Sequence, residues 1–264
     1  MESHPVIDLN KAAIYQNEIL ILANVSLTIN KGEFVYLIGK TGSGKSSLLK
    51  TIYGDLRLKQ GKGAVAGFDL RKIKTRQIPY LRRKIGIVFQ DFQLLMDRTV
   101  NENLLFVMKA THWKDWKLMQ KRLMEVLAMV SLETKGKKMP HQLSGGEQQR
   151  IGIARALIND PEIILADEPT GNLDPETSEG IIGLLFDISK TGSSVLMATH
   201  NYNLFDKFPS RTLLCEGGNV ITGQSPSVAT ITALMVCSRF SASSKTMEAG
   251  DSKTSSVTSI PFNP

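Results

Sequence analysis

The sequence predicts an α/β fold built around a mostly parallel sheet, and three observations carry that prediction. Short apolar runs alternate with stretches of helical periodicity along most of the chain. One apolar run, Phe34–Ile38, leads straight into a glycine-rich loop, Gly39-Lys40-Thr41-Gly42-Ser43-Gly44-Lys45-Ser46. A second, Ile163–Ala166, ends in two adjacent acids, Asp167 and Glu168.

Taken in order, Val6–Leu9 and Ile19–Ile29 read as strands, the second partly alternating. After the glycine loop, Lys45–Tyr53 reads as a helix with Leu48, Leu49 and Ile52 on one side. Ile85–Phe89 is the next strand. Asn101–Ala110 and Trp113–Val130 are helical, and Leu123, Val126, Leu127 and Val130 follow the i, i+3, i+4, i+7 pattern of a buried face. Glu147–Asn159 is a helix that stops before Pro161. Pro175–Lys190 is a helix with proline at its first position, where the missing N–H costs nothing. Val195–Ala198 and Arg211–Cys215 complete the strands. The stretch at 91–155 is helix-rich enough to form a lobe of its own. Residues 225–264 contain ten serines and five threonines with little periodicity, and are expected to be a disordered or non-native tail.

At 264 residues the chain has core enough to fold alone. Its two cysteines, Cys215 and Cys237, exclude a disulfide framework and a cysteine metal cluster. No apolar run approaches the roughly 20 residues needed to cross a bilayer, and the N-terminus has no signal-peptide pattern. The net charge of +7 is uneven. Between Arg57 and Lys84 lie ten Lys or Arg residues and one acid, Asp69. Such a segment is a solvated basic face, or a surface for anionic lipid or a partner. No aromatic-rich nucleic-acid module accompanies it, so nucleic acid is not expected.

The chemistry concentrates at a few points. Gly39–Ser46 fits GxxxxGK[ST], in which glycine backbone angles aim N–H groups at phosphate oxygens and the following helix adds its dipole. Lys45 is expected to reach the β- and γ-phosphates of a nucleotide, and Ser46, followed by Ser47, to ligate Mg²⁺. Asp167 is expected to hold the same Mg²⁺. Glu168 is placed to act as general base toward water. Gln90 and His200 each follow a strand, where a contact to the metal or the attacking water (Gln90) and to the γ-phosphate (His200) competes with an ordinary surface position. Tyr15 either stacks on adenine or merely packs. Ser144-Gly145-Gly146-Glu147 reads as a capping box, S-x-x-E. The cap needs Ser144 and Glu147 but not two glycines, which cost about 1 kcal/mol each inside a helix. A ligand approaching the helix start closely is one reason for them.

Together these residues resemble the ATP-binding cassette ATPases over about residues 5–222. The resemblance implies a phosphate-loop core with an antiparallel β subdomain and a helical subdomain. It makes Leu143–Arg150 the signature sequence, Gly171–Asp174 a loop crossing a subunit interface with Asp174 near nucleotide, Gln90 the Q-loop glutamine and His200 the switch histidine. It also implies a homodimer in the ATP-bound state, with two ATP molecules between subunits, and an integral membrane partner. The runs Ile78–Arg83, Ile87–Asp91 and Leu94–Val100 are similar to the cell-division branch of that family, whose ATPases work with an FtsX-like permease in control of peptidoglycan hydrolases. The implied location is the cytoplasmic face of a bacterial inner membrane. A subunit for lipoprotein or macrolide export, or more remotely a soluble cassette ATPase, stays open at this point.

Overall fold

The computed structural model describes residues 5–201 and 205–223. The Ser/Thr-rich segment 225–264 and Cys237 lie outside the described residues.

Six strands form the main sheet: β3 (Phe34–Ile38), β6 (Ile85–Val88), β7 (Ile163–Asp167), β8 (Ser194–Thr199), β9 (Arg211–Glu216) and β10 (Asn219–Gly223), in the order β10-β9-β3-β8-β7-β6. Every pairing is parallel except β10 with β9. All of β3 and β8, and β7 up to its last residue, are buried. That is why they read as continuous apolar runs: a parallel sheet is covered on both faces, so neither face selects polar residues. Register aligns the carboxyl ends. Ile38 pairs with Thr199, Asp167 with Ala198 and Val88 with Ala166. The residues that follow these strands therefore emerge along one edge, where open α/β sheets place their ligands.

A second sheet is antiparallel, ordered β2-β1-β4-β5, from β1 (Ile7–Gln16), β2 (Ile19–Ile29), β4 (Gln60–Val65) and β5 (Phe68–Asp69). The sequence signal ended β1 at Leu9, but the strand runs on to Gln16. Lys11, with φ +48°, interrupts the alternation where the register with β2 shifts, so the period breaks while the strand does not. The sequence also missed β4, β5 and β10. Two glycines, Gly61 and Gly63, weaken the pattern of β4, yet Gly61 is required: a Cβ there would lie 2.1 Å from the Lys11 carbonyl oxygen, while one on Gly63 would meet the Leu58 and Leu9 side chains.

The helices are α1 (Lys45–Ile52), α2 (Ile78–Arg83), α3 (Val100–Ala110), α4 (Trp116–Met129), α5 (Gly145–Leu157) and α6 (Pro175–Lys190). Helix α2 was not expected, being only six residues long with a proline in its first turn; it buries only Leu81. Helix α4 starts at Trp116 rather than Trp113, because the Asp115 side chain accepts from Lys117 and Leu118 N–H. The indole of Trp113 instead donates to Asn159 at 3.0 Å. Helix α6 is capped by Asp174, which accepts from Thr177 N–H at 2.9 Å, and it buries Ile181, Ile182, Leu185 and Ile188 against the sheet. Burying such side chains stabilises by about 1.5–3 kcal/mol each. Among the described residues no helix is long and apolar enough to cross a membrane.

Candidate functional site

The strand ends converge on a cavity of about 830 Å³, within the range of ligand sites. Its walls come from Thr41, Gly42, Gly44, Lys45, Ser46, Ser47, Gln90, Asp167, Glu168 and His200, with Gln16 and Ile21 on the side of the antiparallel sheet. The sequence separates these groups by more than 150 positions; the parallel register alone brings them together.

The loop between β3 and α1 owes its shape to glycine. Gly42 has φ +81° and Gly44 φ +104°, both in the left-handed region. Gly44 is the N-cap of α1 and offers no side-chain acceptor. The first N–H groups of α1, which have no intrahelical carbonyl, are therefore left for an anionic ligand. Lys45 is nearly buried at 6% exposure. Its ammonium donates to the carbonyl oxygens of Gly39 (2.8 Å) and Lys40 (3.3 Å) and sits 3.5 Å from Glu168 Oε1. Ser47 donates to Gln16 Oε1 at 3.1 Å, tying the helix start to the end of β1. Gly39, Lys40 and Ser43, though part of the loop, do not line the cavity. A Cβ on Gly39 would meet the Cys215 carbonyl oxygen at 2.5 Å, and burial raises the Cys215 thiol to about 12.

Asp167 closes β7 and Glu168 follows it with φ +49°. Burial raises the Asp167 carboxyl above the ordinary carboxylate range, against a weaker downward pull from the Ser46 hydroxyl, and the neighbouring Glu168 adds to the rise. Its Oδ1 is buried without a hydrogen-bond partner, as is Ser43 Oγ. A buried unpaired carboxylate oxygen beside a serine hydroxyl, with an amide carbonyl available from Gln90, is a set of hard oxygen donors. It fits Mg²⁺, which takes one or two carboxylates and leaves its other positions to water and phosphate. Glu168 is held on several sides. Its N–H donates to the Ala198 carbonyl at 2.9 Å. Its Oε2 accepts from the His200 main-chain N–H (3.3 Å) and stands 2.8 Å from His200 Nδ1.

Tyr15 does not line this cavity; Gln16 and Ile21 do. The Tyr15 ring lies under the Lys59 ammonium at 5.6 Å, and Lys59 pairs with Glu18 at 2.5 Å. Ser144–Glu147 and Asp174 are also outside the cavity of their own chain. Both halves of the capping box form: Glu147 N–H donates to Ser144 Oγ at 3.2 Å, and Ser144 N–H to Glu147 Oε2 at 2.9 Å. The Lys135 ammonium, 2.9 Å away, lowers the Glu147 carboxyl, assisted by the Ser144 N–H. The glycines between them have a neighbour the sequence did not show. A Cβ on Gly146 would lie 2.4 Å from Thr177 Cγ2 and one on Gly145 3.2 Å from Leu173 Cδ2. The start of α5 thus packs closely on the residues at the start of α6, most tightly at Gly146.

Three polar residues organise the site through contacts the sequence did not show, although Gln149 and Asn172 lie in segments it had marked. Gln149, fully buried, donates to the Phe89 carbonyl at 3.1 Å, so α5 anchors the loop that carries Gln90. Asn103 is buried and knits residues 95–99 to α3. Asn172 contacts Gln90 across 82 positions of sequence. A lone amide in a sequence carries no periodic signal, so none of these contacts was legible.

A model of the ABC transporter family matches residues 22–171. The chain is 43% identical over 211 residues to the cell division ATP-binding protein FtsE of Streptococcus pneumoniae, covering 80% of this chain and 91% of that protein. It is 45% identical over 204 residues to FtsE of Escherichia coli, covering 76% and 90%. Among solved structures, the dimeric ATP-binding cassette MJ0796 in a post-hydrolysis state with ADP and Pi superposes with a TM-score of 0.72 at 35% identity, over 83% of this chain and 99% of that one. The cbiO1 subunit from Clostridium perfringens, part of the transporter complex cbiONQ, gives 0.79 at 26% identity, over 93% and 99%.

Proposed function

This chain belongs to the ABC transporter family and is an ATP-hydrolysing subunit, and we propose that it is of the cell-division type, closing as a homodimer on ATP beneath an integral, FtsX-like membrane permease. The observation that carries the chemical part is the meeting of Lys45, Asp167, Glu168 and His200 at the carboxyl ends of three adjacent parallel strands.

In this reading the first-turn N–H groups of α1 and Lys45 bind the phosphates. Binding draws the ammonium away from the carbonyls of Gly39 and Lys40, to which it now donates. Ser46, Asp167 and the Gln90 carbonyl would hold Mg²⁺, which when bound neutralises phosphate charge. Glu168 accepts the proton of the attacking water as general base. His200, beside Glu168, orients that carboxylate and reaches the transferred phosphate. Tyr15 serves adenine only if its ring leaves Lys59; Ile21 and Gln16 already face the cavity.

Two observations support closure of two copies. The signature helix start, Ser144–Glu147, is not part of the cavity of its own chain, and the similar cassette MJ0796 is dimeric. The domain assignment belongs to the same proposal: an ATPase unit at 1–224 with a helical subdomain at about 91–155 and a separate tail. Support for a membrane-facing surface comes from the basic segment. Arg57, Lys62, Lys74 and Arg76 are exposed, and among the described residues no carboxylate pairs with them. Such a face suits anionic headgroups.

The test is ATP turnover by the chain alone and together with its membrane partner, set beside Lys45→Ala. Loss of the ammonium should weaken ATP binding by about 10- to 100-fold, the range for a charge-assisted contact. ATP binding unaffected by Lys45→Ala would overturn the assignment of the cavity. Co-purification of a permease of the FtsX type supports the cell-division reading; an exporter permease in its place overturns it.

A further inference from the structure

Gln90 and Asn172 hold each other through two hydrogen bonds that differ in kind. Asn172 Nδ2 donates to the main-chain carbonyl of Gln90 at 3.2 Å. Gln90 Nε2 donates to Asn172 Oδ1, also at 3.2 Å. Both residues line the cavity. Gly171, next to Asn172, leaves the space: a Cβ there would lie 2.7 Å from Gln90 Nε2.

The two bonds together impose a direction. A side-chain amide can present either its NH₂ or its oxygen, and the two are equal in shape. A main-chain carbonyl has no such freedom, because it is only an acceptor. Since Asn172 binds that carbonyl, it must spend its NH₂ there, and its oxygen is what remains for Gln90. Gln90 can then meet Asn172 only through its own NH₂. The carbonyl oxygen Oε1, the one atom of the Gln90 side chain able to ligate a hard cation, is left over. We infer that Asn172 is a positioning residue that selects the Gln90 amide orientation in which Oε1 is free for the cation accompanying the nucleotide.

Three surroundings strengthen the point. The loop carrying Gln90 is anchored from the other side by Gln149, which donates to the Phe89 carbonyl at 3.1 Å, so its backbone is fixed before Asn172 acts. Arg155 adds donations to the carbonyls of Phe92 and Gln93. Gln90 and Asn172 are themselves solvent-exposed. Their two bonds therefore add little to global stability, and their effect is on orientation. Asn172 also lies between Gly171 and Leu173, whose side chain packs near Gly145 at the start of α5. The amide orientation of Gln90 is thus tied to the loop that abuts the signature helix.

The inference rests on the reading of Gln90 as an oxygen ligand, and one experiment separates failure of the two. AMP-PNP, which is not hydrolysed, is titrated calorimetrically into wild type, Gln90→Ala, Asn172→Ala and the double variant, each with Mg²⁺ and with EDTA. The readout is the ratio of the two affinities, which a purely structural defect would not move. Asn172→Ala is expected to lower the ratio by about tenfold, as loss of a group orienting a metal ligand does. AMP-PNP binding in EDTA should stay at the wild-type value. The double variant should show no more loss than Gln90→Ala alone, because both act through one oxygen. A wild-type ratio in Asn172→Ala overturns the inference, as does a double variant whose losses add. A wild-type ratio in Gln90→Ala instead overturns the assignment of Gln90 as ligand, and the inference with it. Asn172→Ser, too short to span both bonds, should repeat the Asn172→Ala result, and a wild-type ratio there also overturns the inference.

Discussion

The Lys45 ammonium lies 3.5 Å from Oε1 of Glu168, while the other oxygen of that carboxylate stands 2.8 Å from His200 Nδ1. The group that would bind phosphate and the group that would activate water are thus already paired within one chain. In the proposed mode of binding a γ-phosphate would compete with Glu168 for Lys45, and the two negative groups would repel. Glu168→Gln would remove that repulsion and the proposed base together. It should bind ATP at least as tightly as wild type and turn over on the order of 10²- to 10⁴-fold more slowly. Single-turnover phosphate release at saturating ATP measures this; wild-type turnover would remove Glu168 from the role of base.

Asp167 gives a prediction about stability. Burial raises its carboxyl, so the folded protein holds that proton more tightly than the unfolded chain does. The contribution is fully present below the unfolded value near 3.8 and is lost as pH rises through the raised folded value. At neutral pH, without nucleotide or magnesium, the ionised carboxylate is therefore a net cost to the fold. Asp167→Asn should melt higher than wild type at pH 7, with the gap closing as pH approaches 4. Melting curves between these values, in EDTA, decide it, and an Asp167→Asn protein less stable at pH 7 would contradict the argument. The same variant should lose ATP turnover, since the carboxylate is the charged ligand of the proposed metal site.

Ser144→Arg tests the composite site. Ser144 lies outside its own cavity and caps α5, so the substitution should leave ATP binding by a single subunit intact. Losing the cap costs about 1 kcal/mol, too little to unfold the protein. Closure of two subunits should fail, and turnover with it. Size-exclusion chromatography of Glu168→Gln in ATP, with and without Ser144→Arg, shows whether the dimer is lost; normal ATP turnover by Ser144→Arg would refute the shared site.

Asn103 is a structural test away from the cavity. Its side chain accepts from Leu95 N–H at 2.7 Å and donates to the carbonyls of Leu95, Arg98 and Thr99. It is 2% exposed, so water cannot replace these partners. Asn103→Ala should destabilise by about 2–3 kcal/mol, the cost of leaving buried groups unpaired. Urea denaturation reads this directly. Loss below about 0.5 kcal/mol, the level of an ordinary surface change, would mean the 95–99 segment is held by other contacts.

The basic segment makes a prediction about surfaces. Reversing charge at Arg57, Lys62, Lys74 and Arg76 removes cations that no carboxylate pairs with among the described residues. Flotation of the wild-type chain with phosphatidylglycerol-rich vesicles, at low salt, should be lost in that variant and absent with phosphatidylcholine alone. Equal flotation of both proteins would leave the patch as a solvated face.

Much of this protein was determined locally and could be read from the sequence. The loop Gly39–Ser46 declares itself because only glycine tolerates the backbone angles at Gly42 and Gly44. The span Pro175–Lys190 was legible to the residue, since a proline at the first turn and a cap before it are local signals. Strands β3, β7 and β8 were legible because burial on both faces leaves an apolar run. What the tertiary structure alone decided depends on distant partners. Gly61 and Gly63 look like strand breakers until β1 and Leu58 are packed against them. Gly145 and Gly146 suggested a ligand, and only the fold shows that Leu173 and Thr177 pack closely against them as well. Tyr15, which the sequence left as either stacking on adenine or packing, lies under Lys59 in the fold. The pairing of Gln90 with Asn172 spans 82 positions and leaves no trace in either neighbourhood, because a hydrogen bond between two amides requires only that the fold bring them to 3.2 Å.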